Sequence, residues 1–156
     1  MGILTEEMKQ VVLEQRLGYV ATVCQDGTPN LSPKGTTTVW DSDHLAFADI
    51  RSPKTVINLR HNPAVEINVV DCFARKGFRF KGTATLITEG PIFEKGLALY
   101  EHQDLSDAPR RIQTIVLVRV ERALPLISPA YDRGASEAKL VTHWEQYYRT
   151  LRHQSE

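Results

Sequence analysis

Residues 31–55, LSPKGTTTVWDSDHLAFADIRSPKT, decide how this chain folds. A strand from Pro29 to Trp40 turns at Asp41-Ser42-Asp43 and returns as His44–Asp49. A simple hairpin puts Trp40 opposite His44, Thr38 opposite Ala46, Thr36 opposite Ala48 and Lys34 opposite Ile50. Pro29 and Pro33 lack a donor, so the early part of the first strand belongs at an edge or a bulge. One hairpin face carries Thr36, Thr38, Ala46 and Ala48, side chains small enough for a flat ligand to approach. Ser52 caps the helix that follows, with Pro53 at the first helical position. Lys34 and Arg51 reach the same end as this helix start, and Lys54 and Thr55 lie inside it. Backbone N–H groups, hydroxyls and cations together suit a phosphate.

Working outward, Thr5 caps a first helix with Glu6 and Glu7 in its first turn; Met8, Val11, Val12 and Gln15 share one stripe, and Gly18 stops it. YVATVC, residues 19–24, is a strand, and Gln25-Asp26-Gly27-Thr28 a turn. His61-Asn62-Pro63 ends the second helix. Strands follow at 64–70 and 78–86, the latter alternating cleanly between Phe78, Phe80, Gly82, Ala84 and Leu86 on one side and Arg79, Lys81, Thr83 and Thr85 on the other. A helix opens at Glu89-Gly90-Pro91, and residues 112–120 form a central strand. Pro125 and Pro129 frame an irregular segment, SPAYDRG. Ser136 caps a terminal helix in which Trp144, Tyr147, Tyr148 and Leu151 fall at helical spacing and read as packing, with a dimer interface as their place. The connections are too short for parallel crossovers, so the architecture is an antiparallel barrel with helices around it.

The 156 residues fit one domain, spanning 1–156, with 42% apolar and 24% charged residues. Zero formal net charge argues against nucleic acid as a partner. No apolar run matches the roughly 20 residues of a membrane span, and MGILTEEMKQ does not read as a signal peptide, so a cytoplasmic location is expected. Cys24 and Cys72 cannot build a disulfide framework and read as reduced, buried residues. Neither they nor the five histidines show zinc spacing, so no metal is assigned.

A plain structural reading competes with the phosphate cradle. Ser-Pro is an ordinary helix start, threonines favour strands, and Lys34, Arg51 and Lys54 can be solvated charges. Spacing alone leaves both readings open.

The succession of GYVATVCQDGTPNLSPKGTTTVW, HLAFADIRSPKTVINLRHNP and FRFKGTATL resembles the pyridoxamine 5'-phosphate oxidase-like, FMN-binding split-barrel family over roughly residues 17–120. The resemblance implies a mainly β fold with peripheral helices, a six-stranded antiparallel split barrel of Greek-key type. It further implies a homodimer with FMN at the interface. On that pattern Ser32, Pro33, Lys34, Gly35, Thr36 and Thr37 contact the isoalloxazine and ribityl chain. Ala48, Asp49, Ile50, Arg51, Ser52, Lys54 and Thr55 belong to the segment binding the phosphate, and Arg79 or Lys81 reaches it from either subunit. The Trp and Arg-Leu-x-Pro signature of the true vitamin B6 oxidases is absent after Ala123. The implied activity is electron or hydride transfer between a nicotinamide-type donor and a small acceptor. The flavin would do the chemistry, so no catalytic side chain is assigned. The alternatives are a non-catalytic FMN carrier or sensor, and a split barrel holding haem or a deazaflavin.

Overall fold

Only three residues, Gly35 to Thr37, separate β2 from β3, yet these strands lie at opposite edges of one seven-stranded antiparallel sheet. The strands are β1 (Gly18–Val23), β2 (Pro29–Lys34), β3 (Thr38–Val39), β4 (His44–Asp49), β5 (Ala64–Asp71), β6 (Lys76–Ile87) and β7 (Thr114–Ile127). Their order across the sheet is β2-β1-β5-β6-β7-β4-β3. A flat sheet would hold its edges six strand spacings, about 29 Å, apart. The link from Lys34 to Thr38 reaches about 14 Å at most. The sheet therefore curls until its edges meet, leaving a split between β2 and β3. The computed structural model describes residues 2–102 and 111–153.

The helices are α1 (Glu6–Gln15), α2 (Pro53–His61), α3 (Pro91–Glu101) and α4 (Glu137–His153). Val20, Leu45, Phe47, Ile67, Phe80 and Val118 fill the curled sheet, joined by Val12 of α1 and Leu59 of α2. A smaller cluster of Ala48, Tyr100, Ile112 and Ile115 lies where α3 covers the sheet. β4 is thus buried on both sides, as a strand between covering layers must be.

The expected hairpin register holds where β3 and β4 pair: Thr38 faces Ala46, and Trp40 N–H donates to the His44 carbonyl at 3.0 Å. The single strand expected over 29–40 is instead two strands, giving seven rather than six. Thr37 breaks it, its N–H and hydroxyl both donating to the Lys34 carbonyl at 3.3 and 2.9 Å. Gly18 makes room for this turn, because a Cβ there would lie 2.4 Å from Thr37 Oγ1. Gly18 is therefore a close-approach position opening β1; the left-handed residue ending α1 is Arg16.

β7 runs on to Ile127, through the Pro125 assigned to irregular chain. Beyond Arg119 its second edge has no partner strand, since β4 begins at His44, so Pro125 costs no ladder bond there. Both cysteines are free, but Cys72 is exposed because it lies in the β5–β6 turn rather than in the core.

The split is fastened first by Thr36. Its buried hydroxyl accepts from Ala48 N–H at 2.9 Å and donates to the Ala48 carbonyl at 3.2 Å, doing the work of a strand partner. Thr36→Val strips both bonds from a buried peptide and should destabilise the fold by about 1–3 kcal/mol, whereas Thr36→Ser, which keeps the hydroxyl, should retain most of the stability. Urea midpoints of the two variants against wild type measure this.

Candidate functional site

The split places a buried cation beside a helix start. Alternation along β2 turns Ser32 and Lys34 to the inner side and leaves Leu31 and Pro33 exposed. Lys34 is only 4% exposed. Its Nζ donates to Ser32 Oγ and to Ser52 Oγ, each at 2.6 Å. An ammonium carries three donors, and these two acceptors are neutral. No carboxylate lies within ion-pair distance of it among the described residues. Burial pulls the Lys34 pKa below its ordinary value, and the Asp49 charge nearby partly offsets that.

Ser52 does not cap α2 with its side chain, as the sequence led one to expect. Its hydroxyl is taken by Lys34, and its N–H donates to Asp49 Oδ1 at 2.7 Å. The buried Asp49 carboxylate thus holds the turn, and its side chain faces inward as a support. α2 begins with Pro53, has no acidic residue in its first turn, and no side chain caps it. The Asp49 carboxylate on Ser52 N–H is the negative charge nearest the positive end of its dipole, while no side chain accepts from the N–H groups of the first turn. Arg51 and Lys54 flank this start, both exposed and without an ion pair among the described residues.

The other expected site residues divide. Gly35 is exposed at the break, and a Cβ there would meet nothing within 4 Å. Thr36, Thr37, Ala48 and Thr55 are buried and serve the scaffold; Thr55 N–H donates to the Ser52 carbonyl at 3.0 Å. Ile50 packs on the Ala48–Tyr100 cluster. The small-residue face expected to receive a flat ligand is closed within the protomer, since Thr36, Thr38, Ala46 and Ala48 are all buried. The two layers that cover β4 account for this.

Arg79 is not brought to the cradle within one protomer. It shares a cross-sheet row with Asn68, Tyr19 and Pro33, three strand spacings or about 14 Å from Pro33. It bonds Glu66, which also pairs with Lys81 at 3.1 Å. Burial acts to raise the Glu66 pKa, but hydrogen bonds from Arg79 and Lys81 and their charges hold it below the usual range.

Two features escaped the sequence reading and had signals. The Asp49 support follows from Asp three residues before a helix-starting Ser, the spacing of a side-chain-closed turn. The shared inner face of Ser32 and Lys34 follows from their i, i+2 spacing on a strand.

Residues 4–123 match the family model described as pyridoxamine 5'-phosphate oxidase. The chain belongs to the pyridoxamine 5'-phosphate oxidase family. The match takes in every element from α1 to the first part of β7, and so the whole cradle. Among solved structures, HupZ of Group A Streptococcus is 32% identical with a TM-score of 0.72, covering 81% of this chain and 96% of that one. An FMN-binding protein of Syntrophomonas wolfei shares the fold at 15% identity and TM-score 0.66, covering 77% and 84% of the two chains. The uncharacterized protein MJ0282 of Methanocaldococcus jannaschii is 34% identical over 89 residues, 56% of this chain and 58% of that protein's length.

A buried ammonium without a carboxylate partner costs the fold stability when no anion answers it. Because the folded-state pKa of Lys34 is depressed, the unfolded chain binds more protons in the alkaline range below the ordinary 10.5. Stability carried by this site should therefore rise with pH there. Lys34→Met, which has no charge to bury, should lose that rise. Urea unfolding of both proteins at several alkaline pH values reads the difference, which should shift toward wild type as pH approaches 10.5.

Proposed function

We propose that this chain is an FMN-dependent oxidoreductase, working as a homodimer with two FMN sites at the interface. The buried Lys34 ammonium, with neutral partners and a donor to spare at an uncapped helix start, carries this reading. Membership of the family supports a flavin as the ligand. The phosphate monoester of FMN matches the cradle, whereas a neutral ligand would leave Lys34 uncompensated.

Lys34, the Ser52 hydroxyl and the Lys54 N–H at the start of α2 hold the phosphate, and the Arg51 and Lys54 side chains add charge from the solvent side. Asp49 keeps the turn in shape through Ser52 N–H. Gly35 leaves backbone open beside Lys34. One wall for the ring system is missing from the protomer, because the threonine-alanine face of the hairpin is closed. A second copy provides that wall. On this reading Arg79, remote from its own cradle, serves the partner's.

When bound, the flavin supplies the redox chemistry, accepting electrons or hydride from a nicotinamide-type donor and passing them to a small acceptor. The protein binds, orients and limits access of water. A cytoplasmic location belongs to this reading; no helix among the described residues is long and apolar enough to cross a membrane.

The visible spectrum of the protein as purified, with mass spectrometry of the small molecule released on denaturation, tests the cofactor, distinguishing flavin from haem or deazaflavin. Ser52→Ala with Lys54→Ala should weaken FMN binding by about 1.5–3 kcal/mol for each charge-assisted bond lost. Unchanged affinity would remove the cradle from the account. Bound flavin with no donor-dependent turnover would leave a carrier in place of an enzyme.

A further inference from the structure

Lys34 and Asp49 are the two buried charged residues among those described, and both stand at the cradle. Arg51 and Lys54 are exposed beside them. Three cations thus face one carboxylate, and that carboxylate is already engaged, its Oδ1 accepting from Ser52 N–H at 2.7 Å. Within the protomer the cradle is two negative charges short of balance. On the reading above a second copy adds Arg79, with Glu66 bonded to it. Among the described residues of β2, β4 and α2, no histidine stands at the cradle: His44 opens β4 and His61 ends α2, each at the end away from it.

The free donors agree with the charge. Pro53 has no N–H, and the Thr55 and Val56 N–H groups donate to the Ser52 carbonyl at 3.0 and 3.4 Å. In the first turn of α2 this leaves the Lys54 N–H without an acceptor among the described residues. The Ser32 and Ser52 hydroxyls accept from Lys34 and each keeps its own proton to give, and Lys34 has one N–H to spare. All of these are donors, so the ligand must bring the acceptors. A phosphate monoester brings three terminal oxygens and, once fully ionised, two charges; a diester brings two oxygens and one charge. Lys34 also decides how the group enters. It is almost wholly buried, so only the end of a ligand reaches it. A monoester carries its phosphate at an end, whereas a diester carries it mid-chain.

We propose that the cradle selects a doubly charged phosphate monoester, with Lys34 as the residue that reads the second charge, and that it releases a phosphate that takes up a proton or a second ester bond. This rests on the phosphate reading above and adds to it the charge state of the ligand. The second ionisation of a phosphate monoester lies at about pH 6, so release follows acidification through that range.

Flavin fluorescence titrations between about pH 5 and 8 test this, with circular dichroism checking the fold at each pH. Three ligands share one ring system: FMN, its monomethyl ester, which is a singly charged diester, and riboflavin. FMN should bind with level affinity above about pH 7 and lose about tenfold per unit below about pH 6. The methyl ester should bind about tenfold or more weakly than FMN at about pH 8, and neither it nor riboflavin should respond to pH. Lys34→Met, with one charge fewer in the cradle, should bind FMN less tightly and with a flatter pH dependence. If FMN outbinds riboflavin but its affinity stays level with pH, or the methyl ester matches it, the charge selection is overturned and the phosphate reading stands. FMN no tighter than riboflavin at any pH overturns both. Riboflavin binding that falls with pH as FMN binding does assigns the titration to the protein and overturns the selection. Lys34→Met that keeps the full dependence removes Lys34 as the reader of the charge. The wild-type series carries the test alone if that variant does not fold.

Discussion

The structure turns on a lysine ammonium lodged in the split of a barrel. Lys34 closes the span from β2 to the start of α2 through two serine hydroxyls, Ser32 and Ser52. Fastening the split with a carboxylate instead would have satisfied the charge and consumed the site. Neutral partners leave the cation deficient, and that deficiency is what an anion can relieve. Asp49 stands near enough to moderate the cost of burial, but its hydrogen bond goes to Ser52 N–H rather than to Lys34.

The surrounding residues hold that arrangement still. Thr36 ties the break between β2 and β3 to Ala48, and Thr37 folds back on the Lys34 carbonyl. Gly18 gives Thr37 the space to do so. The backbone on both sides of the cation is thus tied by hydrogen bonds, to the Lys34 carbonyl on one side and from Ser52 N–H on the other. Around it stand the positive end of α2 and two exposed cations, Arg51 and Lys54. Stability is given up at Lys34 and recovered in the core, where Val20, Phe47, Ile67, Phe80 and Val118 are fully or almost fully buried.

Much of this was legible in the order of residues. Alternation in 78–86, the Thr38–Ala46 register and Pro53 at a helix start all follow from period and turn chemistry, and the structure keeps them. Lys34 meets Ser52 as the hairpin register implied. The break at Gly35–Thr37 was not legible, because it depends on Thr37 finding the Lys34 carbonyl and on Gly18, distant in sequence, making way. Nor was the burial of the Thr36–Ala48 face, since alternation tells which side chains share a face but not whether another layer covers it. Ser52 read as an ordinary cap because capping is local, while the lysine that takes its hydroxyl lies 18 residues away. Pro125 read as a strand end because the loss of β7's second neighbour is a property of the sheet.

The central claim is that Lys34 and the α2 start recognise a phosphate ester. Titration of the protein with FMN and with riboflavin, followed by flavin fluorescence, compares two ligands differing only in that group. The account predicts FMN binding tighter by about 100-fold or more, equivalent to about 3 kcal/mol from the phosphate. Equal affinities for the two would contradict it.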